Sequence, residues 1–186
     1  MLNYKKNFIS KLPYKVDRVT LRHVSEMDTI RLSFIREKED KEAEYTPLPL
    51  EEKPKDHFDF NEKTEKYSEI IFSDDRMQIG IYLGFDLIGE LHVFGYNNRN
   101  KSLEFGYYMI PEFRNNGYAF EALNAFISLL FENEDIRKLY ARTGEFNTSS
   151  VKLLEKSGFQ LEGRFIQGHE LNGEYFDELS YYKIKE

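Results

Sequence analysis

Hydrophobic and polar positions change period several times along this 186-residue chain, and each change marks an element. From Met77 to Leu83, and again from Leu87 to Phe94, they alternate as in a strand with one buried face. Gly84-Phe85-Asp86 lies between the two runs and predicts an antiparallel hairpin. In the second strand Leu91 and Val93 share one face, Glu90 and His92 the other. Asn97 to Lys101 predict the next turn. Leu103 to Ile110 then predict a third strand, closed by Pro111. Gly106 in its middle leaves room for another backbone or a ligand. The period next becomes helical: Ala119, Leu123, Phe126 and Leu130 form one stripe of a helix beginning near Asn116. Lys138 to Thr143 predict another strand. Strand, helix, strand in that order predicts a right-handed parallel crossover.

The flanks are read in the same way. Residues 1–13 are polar with scattered aromatics and read as a lead-in. Tyr14 to His23 predict one strand, with Val16, Val19 and Leu21 as its apolar points. Ser25 or Asp28 would cap a helix to about Glu37, burying Met27, Ile30 and Phe34. From Arg36 to Glu69 the pattern weakens. Thr46-Pro47-Leu48-Pro49-Leu50 excludes regular helix or central strand. A helix around Asn61–Phe72 would bury Tyr67, Ile70 and Ile71. Asn147 is a good N-cap for a helix from Thr148 to about Lys156, with Gly158 as its left-handed stop. Phe159–His169 and Glu174–Ile184 predict a last hairpin around Asn172-Gly173. Its exposed strands suit a monomer or a homodimer. With no internal repeat or second domain in the pattern, residues 1–186 read as one α/β domain around a mixed, mostly antiparallel sheet.

Composition narrows the function. Phe and Tyr together number 29 and Trp is absent, so much of the core is aromatic. No cysteine is present, which excludes disulfides, thiolate metal sites and a cysteine nucleophile. His23, His57, His92 and His169 are scattered, without the spacing of a zinc site, so no metal is expected. The net charge is -7, and residues 36–76 hold 14 acidic against 8 basic side chains. Such a segment is a solvated surface or an attraction for a cationic substrate. A basic patch is missing, which argues against nucleic acid. No apolar run approaches a membrane span and no signal-peptide core opens the chain, so a cytoplasmic protein is expected.

The candidate chemistry lies between the third strand and its helix. Arg114-Asn115-Asn116-Gly117-Tyr118-Ala119 is a polar, glycine-bearing turn feeding a helix start. Backbone N–H groups and the helix dipole favour an anion there. A Walker loop needs a Gly-Lys-Ser/Thr ending, which is missing. The dinucleotide fingerprint needs three glycines near the first strand of a βαβ fold, whereas this turn has one glycine after three antiparallel strands.

Arg114-x-x-Gly117-x-Ala119 does match the Gln/Arg-x-x-Gly-x-Gly/Ala loop of another family. Gly106-Tyr-Tyr-Met-Ile-Pro111 before it, Asn147-x-x-Ser150 and Leu153-Leu-Glu-Lys-Ser-Gly158-Phe159 after it, and Asn172-Gly-Glu-Tyr-Phe-Asp177 match as well. Over roughly Tyr14 to Ile184 the chain resembles the GNAT family of N-acetyltransferases. Within it the chain resembles the branch of ribosomal-protein N-terminal alanine acetyltransferases (RimJ/RimL-like). The resemblance implies helices on both faces of the sheet and a cofactor cleft opened by the crossover. It implies acetyl-coenzyme A as co-substrate, with its pyrophosphate on the N–H groups of Arg114, Asn115, Asn116, Gly117, Tyr118 and Ala119. The pantetheine arm would pair along Tyr108, Met109 and Ile110 as a false strand, and Asn147 would bond it from across the cleft. Ser150 would protonate or hydrogen-bond the leaving thiolate. Family members acting on polyamines often carry a tyrosine seven residues after the asparagine; here that position is Leu154.

For a general base, Glu90, Glu104 and His92 are candidates beside two alternatives: exposed strand positions, or proton loss through water. Asn147 as a plain N-cap and Ser150 as an ordinary first-turn serine are the simpler readings of those two. The acceptor would be an amine: a protein N-terminus, a polyamine or a drug-like amine. An acyl-coenzyme A-binding module without catalysis is the alternative from another class.

Overall fold

A computed structural model of the chain describes residues 2–42, 76–171 and 173–186, apart from the side chains of 37 and 40–42. Its elements are helix α1 (Asn3–Ile9), strands β1 (Tyr14–Val16) and β2 (Val19–His23), helix α2 (Glu26–Glu42), and strands β3 (Met77–Leu83), β4 (Asp86–Asn97) and β5 (Ser102–Met109). A 3-10 turn (Pro111–Phe113) leads to helix α3 (Tyr118–Phe131), strand β6 (Lys138–Gly144), helix α4 (Thr148–Lys156), and strands β7 (Gln160–Leu171) and β8 (Glu174–Ile184). The described strands form one eight-stranded sheet in the order β1-β2-β3-β4-β5-β6-β8-β7. Every neighbouring pair is antiparallel except β5 and β6. The mixed sheet with one parallel pair is therefore as expected.

The two faces of the sheet differ in chemistry. Ile79, Ile81, Leu91, Val93, Leu103, Phe105, Leu139 and Ala141 are buried in the main core, together with Leu123, Phe126 and Leu130 of α3. Alternation sends the intervening residues to the opposite face, under α2. There Gln78, His92 and Gly106 lie in one row across the strands, and Gly80, Glu90 and Tyr108 in the next. Beyond them Phe94, Glu104 and Tyr140 make a third row. The strand β7 is the outer edge and exposes Phe165 and Ile166. Among the described residues no helix is long and apolar enough to cross a membrane.

Three local expectations are corrected. The lead-in is a packed helix: Tyr4 and Phe8 of α1 are buried, and Phe8 meets Phe126 edge-on at 5.2 Å. Two aromatics four apart on a short polar helix are too few to register as a periodic face. The single strand over 14–23 is a hairpin, β1 paired with β2 around Asp17, which takes φ 33. In α2 Met27 and Phe34 are exposed, while Thr29, Ile30 and Leu32 are buried. The ridge that packs is Leu32 with Ile35, against Tyr82, Leu87, Tyr108 and Ile110. Ser25 does cap α2: its Oγ accepts from the Asp28 N–H at 3.1 Å and donates to Asp28 Oδ2 at 2.8 Å. The stretch 46–50, the helix over 61–72, most of the acidic 36–76 segment and Asn172 lie outside the described residues.

If α1 belongs to the core, Phe8→Ala costs about 3–5 kcal/mol of stability. Urea unfolding measures it; a loss under about 1 kcal/mol would remove α1 from the core.

Candidate active site

Strands β5 and β6 pair over only three positions, Ser102–Glu104 with Lys138–Tyr140. Each continues beyond that point, β5 along β4 to Met109 and β6 along β8 to Gly144. The ladder between them stops, so a gap opens toward the β5 C-terminus. The Ile110 N–H donates to Ile88 O at 2.9 Å. By the two-residue alternation of an antiparallel ladder, Tyr108 also turns its backbone groups to β4, and Tyr107 and Met109 turn theirs to the gap. Of the Tyr108–Ile110 stretch, Met109 is thus the residue whose backbone faces the gap. The Tyr108 and Ile110 side chains are buried with Leu32 of α2.

At the open end of the gap lies the turn before α3. Asn115 and Gly117 take φ 61 and 84, so the chain reverses twice within a few residues. The Asn116 Nδ2 donates to Arg114 O at 2.8 Å. The N-cap of α3 is Gly117, which has no side chain to cap the helix, and among the described residues no other side chain does so. Phe120 and Glu121 donate to Gly117 O, but among the described residues none accepts from the N–H groups of Asn115 to Ala119. These donors converge on a helix start, the environment that takes an anion.

Arg114 departs from its expected part. Its N–H donates to Pro111 O at 3.1 Å, so its backbone is spent in the 3-10 turn. Its guanidinium turns away from the loop: Nε donates to Met109 O at 2.9 Å, Nη1 meets Glu39 Oε1 at 2.6 Å and Nη2 meets Glu39 Oε2 at 2.9 Å. The Tyr108 hydroxyl donates to the same Glu39 at 2.6 Å. Arg114 therefore clasps α2 to the end of β5.

Sequence reasoning missed a second arginine. Arg18, in the β1–β2 turn, donates from Nη2 to Asn116 O at 3.0 Å and from Nε to Glu121 Oε1 at 2.7 Å. Its guanidinium lies 4.6 Å from the centre of the Tyr118 ring. No local pattern marks it, because its partners lie about a hundred positions along the chain.

On the far side of the gap α4 carries the other two predicted residues. Asn147 Oδ1 accepts from the Ser150 N–H at 3.1 Å, so it is the N-cap expected from its sequence. The Ser150 Oγ lies 2.7 Å from the Tyr107 hydroxyl of β5. Tyr107 is another residue missed. Its partner is 43 positions away, beyond the reach of any spacing rule.

The base candidates are neither exposed nor open. Glu90 is buried; one carboxylate oxygen is ion-paired with Arg36 and the other accepts from Gln78 Nε2. Glu104, also buried, stands at the closed end of the gap, with both oxygens 3.0 Å from the Arg142 guanidinium. The space left by Gly106 is filled by His92: a Cβ there would stand 2.3 Å from its Nε2. That nitrogen is buried without a hydrogen-bond partner. Burial lowers the imidazole pKa to about 4, against the weaker upward pull of Glu90. Among the described residues no group of His, Asp and Glu is arranged to hold a metal ion.

Residues 18–160 match the family described as "Acetyltransferase (GNAT) domain". The chain belongs to the GNAT acetyltransferase family. Among GNAT relatives it is 32% identical over 100 residues to the uncharacterized N-acetyltransferase YoaA of Bacillus subtilis, covering 54% of this chain and 56% of YoaA. It is 28% identical over 128 residues to the putative ribosomal N-acetyltransferase YdaF of the same organism, covering 64% of this chain and 69% of YdaF. The match thus spans little over half the length of YoaA. Two solved GNAT structures share the fold. The ribosomal-protein alpha-N-acetyltransferase RimL, in complex with coenzyme A, superposes with a TM-score of 0.76 at 21% identity, covering 92% of this chain and 96% of RimL. The spermidine N-acetyltransferase of Vibrio cholerae, with coenzyme A and spermine, gives 0.77 at 24% identity, covering 91% and 96%.

The buried His92 has a testable consequence. Between its ordinary pKa of 6.5 and about 4, the unfolded chain binds a proton that the folded chain refuses. Stability therefore falls as pH is lowered through that window, by up to about 3 kcal/mol from this group. Urea titrations across the window should give a flatter profile for His92→Gln. An unchanged profile would assign the dependence to other groups.

Proposed function

We propose that this GNAT chain transfers an acetyl group from acetyl-coenzyme A to a primary amine, directly within a ternary complex, and that the amine is a protein N-terminus. The observation that carries the reading is the interrupted β5–β6 ladder ending beside an uncapped helix start. The two together suit a ligand with an extended amide-bearing arm and a pyrophosphate. Acetyl-coenzyme A supplies these and the thioester whose acetyl group passes to nitrogen while the thiolate leaves.

In this reading the N–H groups of Asn115, Asn116, Gly117, Tyr118 and Ala119 hold the pyrophosphate, and Arg18 keeps the loop in place. Met109, its carbonyl held by Arg114, offers its N–H to the carbonyl oxygen of the arm or of the reacting thioester. Arg114, Tyr108 and Ile110 support the strand end from behind. Asn147 fixes the start of α4, so that Ser150 presents its hydroxyl to the departing sulfur. Glu90 and Glu104 have both carboxylate oxygens engaged, so they shape the α2 face rather than take the amine's proton, which leaves through water.

The same ion pairs bear on the acceptor. A polyamine needs several uncommitted carboxylates. On the α2 face Glu39 is matched by Arg114, Glu90 by Arg36 and Glu104 by Arg142. That balance suits the single charge of a chain N-terminus, as does Leu154 where polyamine enzymes often carry tyrosine. The acidic composition of residues 36–76 favours a polyamine instead, as the second reading.

A panel of N-terminal peptides, spermidine, spermine and aminoglycosides, with thiol release as readout, tests the acceptor. Peptide turnover with none on polyamines is expected. The reverse would overturn the acceptor, and cofactor binding without turnover would make the protein a binding module. For the loop, Gly117→Val should weaken acetyl-coenzyme A binding by more than about tenfold in calorimetry, because valine strongly disfavours the left-handed region. Its Cβ would also stand 3.1 Å from Arg18 Nη2. Unaltered affinity would refute the loop assignment.

A further inference from the structure

We infer that Tyr107 is a positioning residue for the transfer, orienting the Ser150 hydroxyl toward the leaving sulfur. The inference rests on the functional reading above and adds a residue to it. The contact is direct, 2.7 Å between the Tyr107 hydroxyl and Ser150 Oγ, with Ser150 O at 3.4 Å. It joins β5 to α4 where the β5–β6 ladder no longer spans the gap. Both ends are held. Tyr107 follows Phe105 on the same side of β5, their rings stacked at 6.5 Å, and Phe105 is buried against Phe159. The Ser150 backbone is fixed by the Asn147 cap.

Either hydroxyl can be the donor in this hydrogen bond, and acidity favours the tyrosine. Each hydroxyl owns one hydrogen and can accept as well as donate. A phenol, with a pKa near 10, is a much stronger donor than an aliphatic alcohol. In the proposed arrangement Tyr107 donates to Ser150 Oγ, the shorter of its two contacts with that residue, and the Ser150 hydrogen is turned elsewhere. Without Tyr107 the serine hydroxyl is free to rotate toward a backbone carbonyl of its own helix turn, as serines in helices do.

The step balances without any proton leaving Tyr107. The C–N bond forms, the C–S bond breaks and its electron pair goes to sulfur. Ser150 donates a hydrogen bond to that sulfur as its charge grows, strengthened because the acceptor is ionised. The proton finally carried by the thiol is the one the amine gives up, exchanged through solvent. Tyr107 contributes by fixing where one hydrogen points before the charge appears.

The experiment is a double-variant cycle in the full chain with Tyr107→Phe, Ser150→Ala and both together. Phenylalanine keeps the ring and its stacking, and melting temperature checks that folding is retained. Tyr107→Phe should lower kcat about tenfold, roughly one hydrogen bond's worth, while KM for acetyl-coenzyme A stays within about twofold. The double variant should be no slower than Ser150→Ala alone, because the tyrosine acts only through the serine. Losses that multiply in the double variant, a loss confined to KM, or full turnover in Tyr107→Phe would overturn the inference and leave the functional reading intact. Acetyl-coenzyme A bound by the unaltered protein without turnover of any amine would overturn both.

Discussion

The functional features of this protein depend on the parting of β5 from β6 after three paired positions. Each strand has a full antiparallel partner on its other side, β4 for one and β8 for the other. Neither needs the mutual ladder to stay in the sheet, so the sheet survives the interruption. The crossover helix α3 and the short helix α4 then stand at the two lips of the opening. An extended ligand can complete the ladder there with backbone hydrogen bonds, which ask little of side-chain identity. In the functional reading proposed above, selectivity for the cofactor falls to the turn before α3, and chemistry to the few side chains that reach across.

The second organising feature is the treatment of charge under α2. Buried carboxylates are costly unless paired, and here Glu90, Glu104 and the half-buried Glu39 each meet an arginine from another element. Arg36 comes from α2, Arg142 from β6 and Arg114 from the turn before α3. Ion pairs of this kind are weak sources of stability, but they fix which elements face one another. His92 is the exception on that face. It is buried beside a glycine that makes room for it, and it stays neutral.

Much of this was legible in the sequence because it is local. Alternation located β3, β4 and β5, the helical stripe located α3, and Asn147 and Gly158 bounded α4. The loop motif pointed to the turn with its free N–H groups because a turn and a helix start are contiguous in the chain. What stayed hidden is non-local. Tyr107, Arg18 and Glu39 gain their roles from partners brought close only by the fold. The misplaced details have equally physical causes. Backbone direction alternates residue by residue, so Tyr108 and Ile110 cannot share Met109's outlook on the gap. The N–H of Arg114 is consumed by a 3-10 turn that a six-residue pattern does not register. Glu90 and Glu104 look solvent-facing in a strand pattern because the pattern cannot see Arg36 of α2 and Arg142 of β6 meeting them.

The clasp between Arg114 and Glu39 couples the end of β5 to α2. Glu39 belongs to the helix over the α2 face, while the arginine it holds also grips the carbonyl of Met109 at the gap. An occupant that shifts α2 changes the free energy of the strand end, and an occupant of the strand end changes that of α2. Thermodynamic linkage makes the two effects equal in size. A ligand at either place would therefore be felt at the other through a single arginine.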